Sequence, residues 1–392
     1  MIRRRLGALA RSGMWWTADA VASRSASHHR SDVDSRSIII LPPADGGSLG
    51  DDAMVLGLLH LIGSREVVLV PYQAPGYGSL VGRREAPDLT GRAGGLAFLP
   101  LLRDSAETYI IGADVLDGFY SDRKTTLRLR FANLAARSGS RTSVVGFSMN
   151  ANPSTAACAA ISGLDPRVRL VARDPISAQR TEAIAGRPVE TAADLAFLVE
   201  AEEPPAAFAL PAEINVGFAP NYHLAGEFGG PEQLLDAMEG CLSALLASGP
   251  ELGIVLIPHD SRGPSSDFAL SASLAERLPS DRVVAATFVS SPGHVRWVAA
   301  QLHAMVSARM HAAIGALGEG TPVAVLGYQN KAEGILSMFE LDHWVAHPQV
   351  TLSNPSEFVA LAQRLLDKGD EIRPQIHRLL PAVIAAARRN VI

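Results

Sequence analysis

Cysteine is scarce in this 392-residue chain. Its two cysteines, Cys158 and Cys241, are far apart and form no Cys-x-x-Cys pair. That spacing excludes a zinc ribbon and a dithiol redox centre, and a reduced, cytoplasmic chain is the simple expectation. There is no His-Glu-x-x-His, and no metal is expected. Gly146-Phe147-Ser148-Met149-Asn150 is not a Gly-x-Ser-x-Gly nucleophile elbow. No run of about 18 uninterrupted apolar residues occurs, so no transmembrane helix is expected. Neither sign of charge dominates: 35 Lys and Arg face 40 Asp and Glu, a net charge of −5, which argues against a nucleic-acid partner.

Apolar residues are plentiful instead. They make up 47% of the chain against 19% charged, enough to fill the cores of two ordinary domains. From residue 37 apolar strands alternate with helical patterns. SIIILP, EVVLVPY, TYIIGAD, RTSVVGFS and RVRLVARD read as strands before residue 200, and INVGFAP, GIVLIPHD, DRVVAATF, AMVS and PVAVLG after it. Strands alternating with helices indicate a parallel sheet covered on both faces. Residues 201–213, AEEPPAAFALPAE, read as a linker. The expected plan is α/β, with two Rossmann-like doubly wound domains facing a cleft. Residues 36–200 form the N-terminal domain and 214–392 the C-terminal one, with mostly helical sequence after 355 in which prolines mark breaks.

Residues 1–35 stand apart. Arg3, Arg4, Arg5 and Arg11 precede Trp15-Trp16 and a Ser/Arg/His-rich run. Arg11 interrupts the short apolar stretch and disfavours a secretory signal. A basic segment with paired Trp allows peripheral contact of residues 1–20 with an anionic membrane surface. A flexible tail, or a helix packed on the body, explains it equally simply.

The most informative stretch is 307–334, SARMHAAIGALGEGTPVAVLGYQNKAEG. Ser307, Arg309 and His311 follow the strand AMVS, and Tyr328 and Lys331 follow PVAVLG. If these strands are parallel neighbours, a right-handed crossover brings both ends to one rim, where ligands of open α/β sheets bind. Arg309, His311 and Lys331 would then converge beside a helix start and suit a small anion. Polar residues end strands in any α/β protein, so Arg-x-His alone is a weak signal.

Other rim candidates follow the same logic. The loop Gly46-Gly47-Ser48-Leu49-Gly50-Asp51-Asp52 joins a strand to a helix. It lacks the Lys of a P-loop, and Asp51 and Asp52 favour the helix dipole but repel a phosphate. It suits sugar hydroxyls, or is simply a turn with an N-cap. Arg173 ends a strand before Asp174-Pro175, a natural N-cap followed by a natural first helical residue. Arg173 could reach a donor or pair with Asp174 or Asp194. His259 and Asp260 end GIVLIP, and Gly112-Ala113-Asp114 ends YII.

These elements together resemble the polysaccharide pyruvyl transferase family. The resemblance covers roughly residues 37–375 and is sharpest at 307–334. The family's Ser-x-Arg-x-His corresponds to Ser307, Arg309 and His311, with Met310 where Leu is common. Its Gly-x-Pro corresponds to Gly320 and Pro322, and its Tyr-x-x-Lys to Tyr328 and Lys331. Its Gly-Asn-x-Gly-Asp-Glu loop is matched approximately by Gly47, Leu49 or Gly50, and Asp51. Ser48 replaces the Asn, which puts that amide's role in question. Arg173 to Ser177 is similar to an Arg-Glu-x-x-Ser element with Asp174 for Glu, and Asp194 and Asp114 fall in further family elements.

The resemblance implies a GT-B-like fold and transfer of a pyruvyl group from phosphoenolpyruvate to two hydroxyls of one sugar in a cell-surface polysaccharide or glycolipid, giving a cyclic ketal. The expected partners are phosphoenolpyruvate as co-substrate and a sugar or lipid-linked oligosaccharide, without cofactor or metal, in the cytoplasm or at the inner face of the membrane. Under that implication Arg309, Lys331, Ser307, Tyr328 and Arg173 hold the donor. Gly47, Ser48, Asp52 and Asp114 line the acceptor side. His311 is the general acid, because histidine titrates near pH ~6.5. Asp51 is a base candidate toward the acceptor hydroxyl, and His259 a secondary site candidate at the cleft rim. Two other readings stand beside it: a GT-B glycosyltransferase with a nucleotide-sugar donor, and a non-catalytic scaffold for envelope-polymer assembly.

Overall fold

Strands that are buried on both faces read as unbroken apolar runs, and central strands such as SIIIL, LGIVL and VAVL follow that pattern. The computed structural model describes residues 15, 17–19, 21–22, 37–44, 46–73, 84–91, 94–263, 265–327 and 331–392. Contacts divide the chain into two compact units: residues 1–46, 61–194 and 390–392 form one, and residues 47–60 with 195–389 form the other. The helix start at 47–60 therefore groups with the C-terminal half, in place of the contiguous boundary near residue 200 read from the sequence.

The first unit holds β1 (Ser37–Leu41), β2 (Val67–Leu69), β3 (Arg84–Glu85), β4 (Ser105–Ala113), β5 (Arg141–Phe147), β6 (Arg169–Ala172) and β7 (Glu190–Thr191). All pair in parallel, in the order β3-β2-β1-β4-β5-β6-β7. All nine residues of β4 are buried. Helices begin where a short polar side chain can accept a backbone N–H. Ser121 caps Asp122–Arg137, Ser154 caps Thr155–Ser162, and Asp174 with Pro175 starts Pro175–Ala185. Trp15 is buried and lies 6.4 Å from the Phe98 ring, so this indole is not presented to a membrane surface. Most of the basic segment 1–35 lies outside the described residues.

The second unit holds β8 (Ile214–Ala219), β9 (Leu252–Leu256), β10 (Val283–Ala285), β11 (Ala304–Ser307), β12 (Val323–Leu326) and β13 (Val345–Ala346). Its parallel order is β10-β9-β8-β11-β12-β13. In both sheets the first strand of the unit has its second strand on one side and its fourth-formed strand on the other: β1 lies between β2 and β4, and β8 between β9 and β11. The chain reverses its direction of winding there, and a crevice opens at the carboxyl ends of those strands.

The C-terminal helix Gly369–Ala387 runs through Pro374 and Pro381 without the expected breaks. Both prolines are exposed, as are Asp370 and His377, so water can reach the carbonyls that lose an N–H partner. No helix among the described residues is long and apolar enough to cross a membrane.

Candidate functional site

The crevice of the second sheet collects polar residues from three strand ends. Beyond β8 come Asn221 and His223, beyond β9 come His259 and Asp260, and beyond β11 come Arg309 and His311. The Asn221 side-chain amide donates to the Ala308 carbonyl at 3.0 Å and ties two of these exits together. Ser307 is fully buried. Its Oγ donates to the Arg309 carbonyl at 2.7 Å and accepts the Arg309 N–H at 3.2 Å, so it shapes the turn and is not placed to touch a donor. The helix that follows starts at Met310.

The glycine loop meets this crevice within the same unit. Leu49 N–H donates to the His259 carbonyl at 2.9 Å, Ser261 N–H donates to the Gly47 carbonyl at 2.9 Å, and Ser48 bridges Asp260. Gly47 has φ +106°, and an added Cβ would lie 2.8 Å from Arg262 Cγ. Gly50 matters more. A Cβ there would sit 2.2 Å from His311 Nδ1, so the imidazole rests directly on the bare backbone of helix Leu49–Ile62.

His311 is half-exposed, and His259 is buried. Both line a small cavity of about 10 Å³, together with Ala53, Val295, Arg296 and Gly315. That is the size that accommodates one water molecule. Neither ring nitrogen of His259 has a hydrogen-bond partner. Burial lowers its pKa well below the ordinary histidine value, and the nearby His311 and Arg309 push the same way against Asp260. Burial therefore disfavours the charged form of His259. His223 is also lowered, first by burial and then by Arg309.

The carboxylates contribute features that the sequence alone did not disclose. Arg309 meets Asp267 through two bonds, Nε to Oδ2 at 2.6 Å and Nη2 to Oδ1 at 2.7 Å, and Asp267 is fully buried. The Nε/Nη2 edge of the guanidinium, one of the two edges that could grip a donor carboxylate, is therefore held by Asp267. Asp260 lies between Arg262, bonded at 3.0 Å through Nε, and Arg309 at 3.9 Å. Burial opposes its ionisation, but Arg262 and Arg309 outweigh it and the pKa is lowered. Arg262 also approaches Asp51 at 3.9 Å. The expected cationic notch is thus largely charge-compensated, with Asp51, Asp52, Asp260 and Asp267 set against Arg262 and Arg309.

Asp52 is the exception among the four. It is buried, and its Oδ1 has no hydrogen-bond partner. Burial, with Asp51 and Asp260 as like charges, raises its pKa to about 7 against the pull of Arg262. A carboxyl group poised near neutrality can either give or take a proton.

The remaining candidates lie elsewhere. Lys331 is buried at the start of helix Ala332–Ser337, one strand over from His311, since β12 pairs with β11 and both run out on the same edge. Tyr328 lies outside the described residues. Arg173 belongs to the first unit and is 1% exposed. Its Nη1 meets Asp194 at 2.8 Å and its Nε donates to Ser148 at 2.6 Å. Of the two readings of Arg173, the pairing with Asp194 holds and the reach to a donor is corrected. Asp114 is also in the first unit and accepts the Tyr120 hydroxyl at 3.0 Å. Among the described residues no cluster of His, Cys, Asp or Glu has metal-binding geometry.

Arg262, Asp267, Asn221 and His223 were missed by sequence reasoning. Asn221 and His223 could have been found, because they follow the strand INVGFAP on the same rim. Asp267 gives no such signal. It opens a helix far along the chain and looks like a first-turn acid.

Comparison with known proteins adds the following. The model of the polysaccharide pyruvyl transferase family matches residues 49–330. No curated protein matches the chain. Among solved structures the fold is similar to UDP-GlcNAc 2-epimerase from Neisseria meningitidis bound to UDP-GlcNAc, at 12% identity over 90% of this chain and 97% of that one, with a TM-score of 0.57. It is similar to the glycotransferase of kitacinnamycin at 13% identity, over 90% and 96%, with a TM-score of 0.55. It is also similar to CalG4, the calicheamicin glycosyltransferase, at 14% identity, over 90% and 95%, with a TM-score of 0.52. At these identities the likeness concerns the fold alone.

Proposed function

Because this chain belongs to the polysaccharide pyruvyl transferase family and is a transferase, we propose that it moves the pyruvyl group of phosphoenolpyruvate onto two hydroxyls of one acceptor sugar. The product is a cyclic ketal and inorganic phosphate. Protonation of the donor methylene makes a methyl group and leaves an electrophilic C2. One hydroxyl adds to C2, the C–O bond to phosphate breaks, and the second hydroxyl closes the ring. The two hydroxyls release two protons, the methyl group takes up one and the phosphate the other.

The observation that carries this reading is the two-histidine arrangement at the strand ends of β9 and β11. His311 is half-exposed and rests on Gly50, while His259 stands buried behind it. His311, the more accessible of the two, is the general acid in this scheme. Asp52, with its pKa raised to about 7, is a better acceptor of a hydroxyl proton than Asp51, which faces Arg262. Lys331 and the first N–H groups of helix Met310–Gly318 supply positive potential for phosphate. Arg309 braces the turn through Asp267.

The test is to incubate the protein with phosphoenolpyruvate and a polysaccharide or lipid-linked oligosaccharide. Phosphate release and a pyruvate-sized mass increment on the glycan are followed. His311→Ala is expected to lose roughly 10²–10⁴ in rate with an unchanged unfolding midpoint. Full activity in that variant removes His311 from the chemistry. Turnover of a UDP-sugar in place of phosphoenolpyruvate replaces the proposal with glycosyl transfer.

A further inference from the structure

Among the described residues nearly every aromatic ring is wholly or partly covered. Among the described residues, the only exposed Phe, Tyr or Trp side chains are Phe119, 57% exposed, and its neighbour Tyr120, 43% exposed. They form an edge-to-face pair, with centroids 5.2 Å apart and planes at 85°. Leaving two such rings in water forgoes the full or partial burial that the other described rings obtain.

The loop that carries them is tightly built. Ala113, the last residue of β4, has φ +42°, an uncommon conformation for a residue with a side chain. Val115 is held by Thr125, whose hydroxyl donates to its carbonyl at 2.7 Å. Asp117 is fully buried, accepts the Phe119 N–H at 3.0 Å and receives the Ser154 N–H on its carbonyl at 2.9 Å. Gly118 has φ +81°, and an added Cβ would lie 2.2 Å from Ser154 Oγ. The Tyr120 hydroxyl donates to Asp114 at 3.0 Å. This is a fixed display and not an unpacked excursion of the chain.

Its place in the fold matters. The loop leaves the carboxyl end of β4, beside β1, at the point where the winding of the first sheet reverses. Ligands of open α/β sheets bind at that edge. Two rings are far too little for a stable protein partner, which buries about 800 Å² on each side. They do match a pyranose, whose face of axial C–H groups stacks on an aromatic ring while its hydroxyls reach a carboxylate such as Asp114.

We propose that Phe119 and Tyr120, flanked by Asp114, form a stacking platform for a hexopyranose unit of the acceptor. The proposal rests on the reading of the chain as a transferase acting on a sugar acceptor.

The test separates the platform from the chemistry. Saturation-transfer NMR is run without phosphoenolpyruvate on the full chain, with methyl β-galactopyranoside, methyl β-glucopyranoside and methyl α-mannopyranoside as probes. At least one probe is expected to receive saturation from the wild-type protein. Phe119→Ala/Tyr120→Ala should lose about fivefold or more of that signal, while Tyr120→Phe, which keeps the ring, retains most of it. The thermal shift with phosphoenolpyruvate should be unchanged in the double variant, which also checks that it is folded. The platform is overturned if no glycoside engages the wild type, or if the double variant engages them equally well. Glycoside binding through this pair in a protein that never consumes phosphoenolpyruvate sinks the pyruvyl reading and leaves the platform standing.

Discussion

Asp52 and Arg309 show how neighbours redefine a side chain. In the sequence Asp52 is one of two acids in a helix's first turn, where the dipole stabilises negative charge. In the fold it is buried with an unbonded oxygen, and its pKa moves up to about 7. A folded-state value above the unfolded value of 3.8 means that the fold prefers the protonated form. The stability this contributes is complete below about pH 4 and is lost as the pH rises through 7. Asp52→Asn, which mimics the protonated form, should therefore be more stable than wild type at pH 8, by on the order of 4 kcal/mol at most, and so melt higher there, while the two are equally stable at pH 4. A lower melting temperature for the variant at pH 8 would show that the ionised carboxylate is stabilising after all. Arg309 was legible as a rim cation but not as a neutralised one. Its partner Asp267 sits 42 positions away and betrays nothing locally. Counter-ions that arrive from distant loops are invisible to motif reading. The same holds for Arg173 and Asp194, where the sequence left two outcomes open and three-dimensional proximity chose one.

At the scale of elements, the ten strands read from the sequence are all present; most are apolar and buried, while β10, at a sheet edge, is only half-buried. The three not anticipated, β3, β7 and β13, are two residues long and lie at sheet edges, too short to carry any periodicity and suited to blunting an edge. The glycine loop was legible as a loop before a helix, but its chief contact was not. Gly50 serves His311, over 260 residues later, by having no side chain. Gly50→Ala should preserve the helix, of which Gly50 is only the second residue, yet it must displace the imidazole. We expect a fall in kcat of at least about 10²-fold, in line with misplacement of a reacting group by an ångström, with little change in unfolding midpoint. Steady-state phosphate release and a melt of the same preparation check this. Wild-type kcat in the variant would mean that His311 acts from another position.

At the scale of the molecule, two parallel sheets with strand ends rich in polar groups were foreseeable from the alternation of elements, and the family match confirms the resemblance that the 307–334 segment carries. What a donor does to the whole protein is the corresponding test. A ligand at 100 times its dissociation constant stabilises the native state by about 2.7 kcal/mol, a rise in melting temperature of roughly 5–10 °C for a unit of this size. Phosphoenolpyruvate should produce such a rise and UDP-GlcNAc should not. The reverse pattern in a thermal-shift assay would favour a nucleotide-sugar donor.

The grouping of residues 47–60 with the C-terminal half bears on how such chains can be shuffled. A hybrid that swaps halves at the proline-rich 201–213 segment would graft one parent's His311 onto another parent's glycine turn. Inheritance of a working acid site therefore runs through two separated blocks of sequence, and a recombinant that keeps both from one parent is the one expected to remain competent.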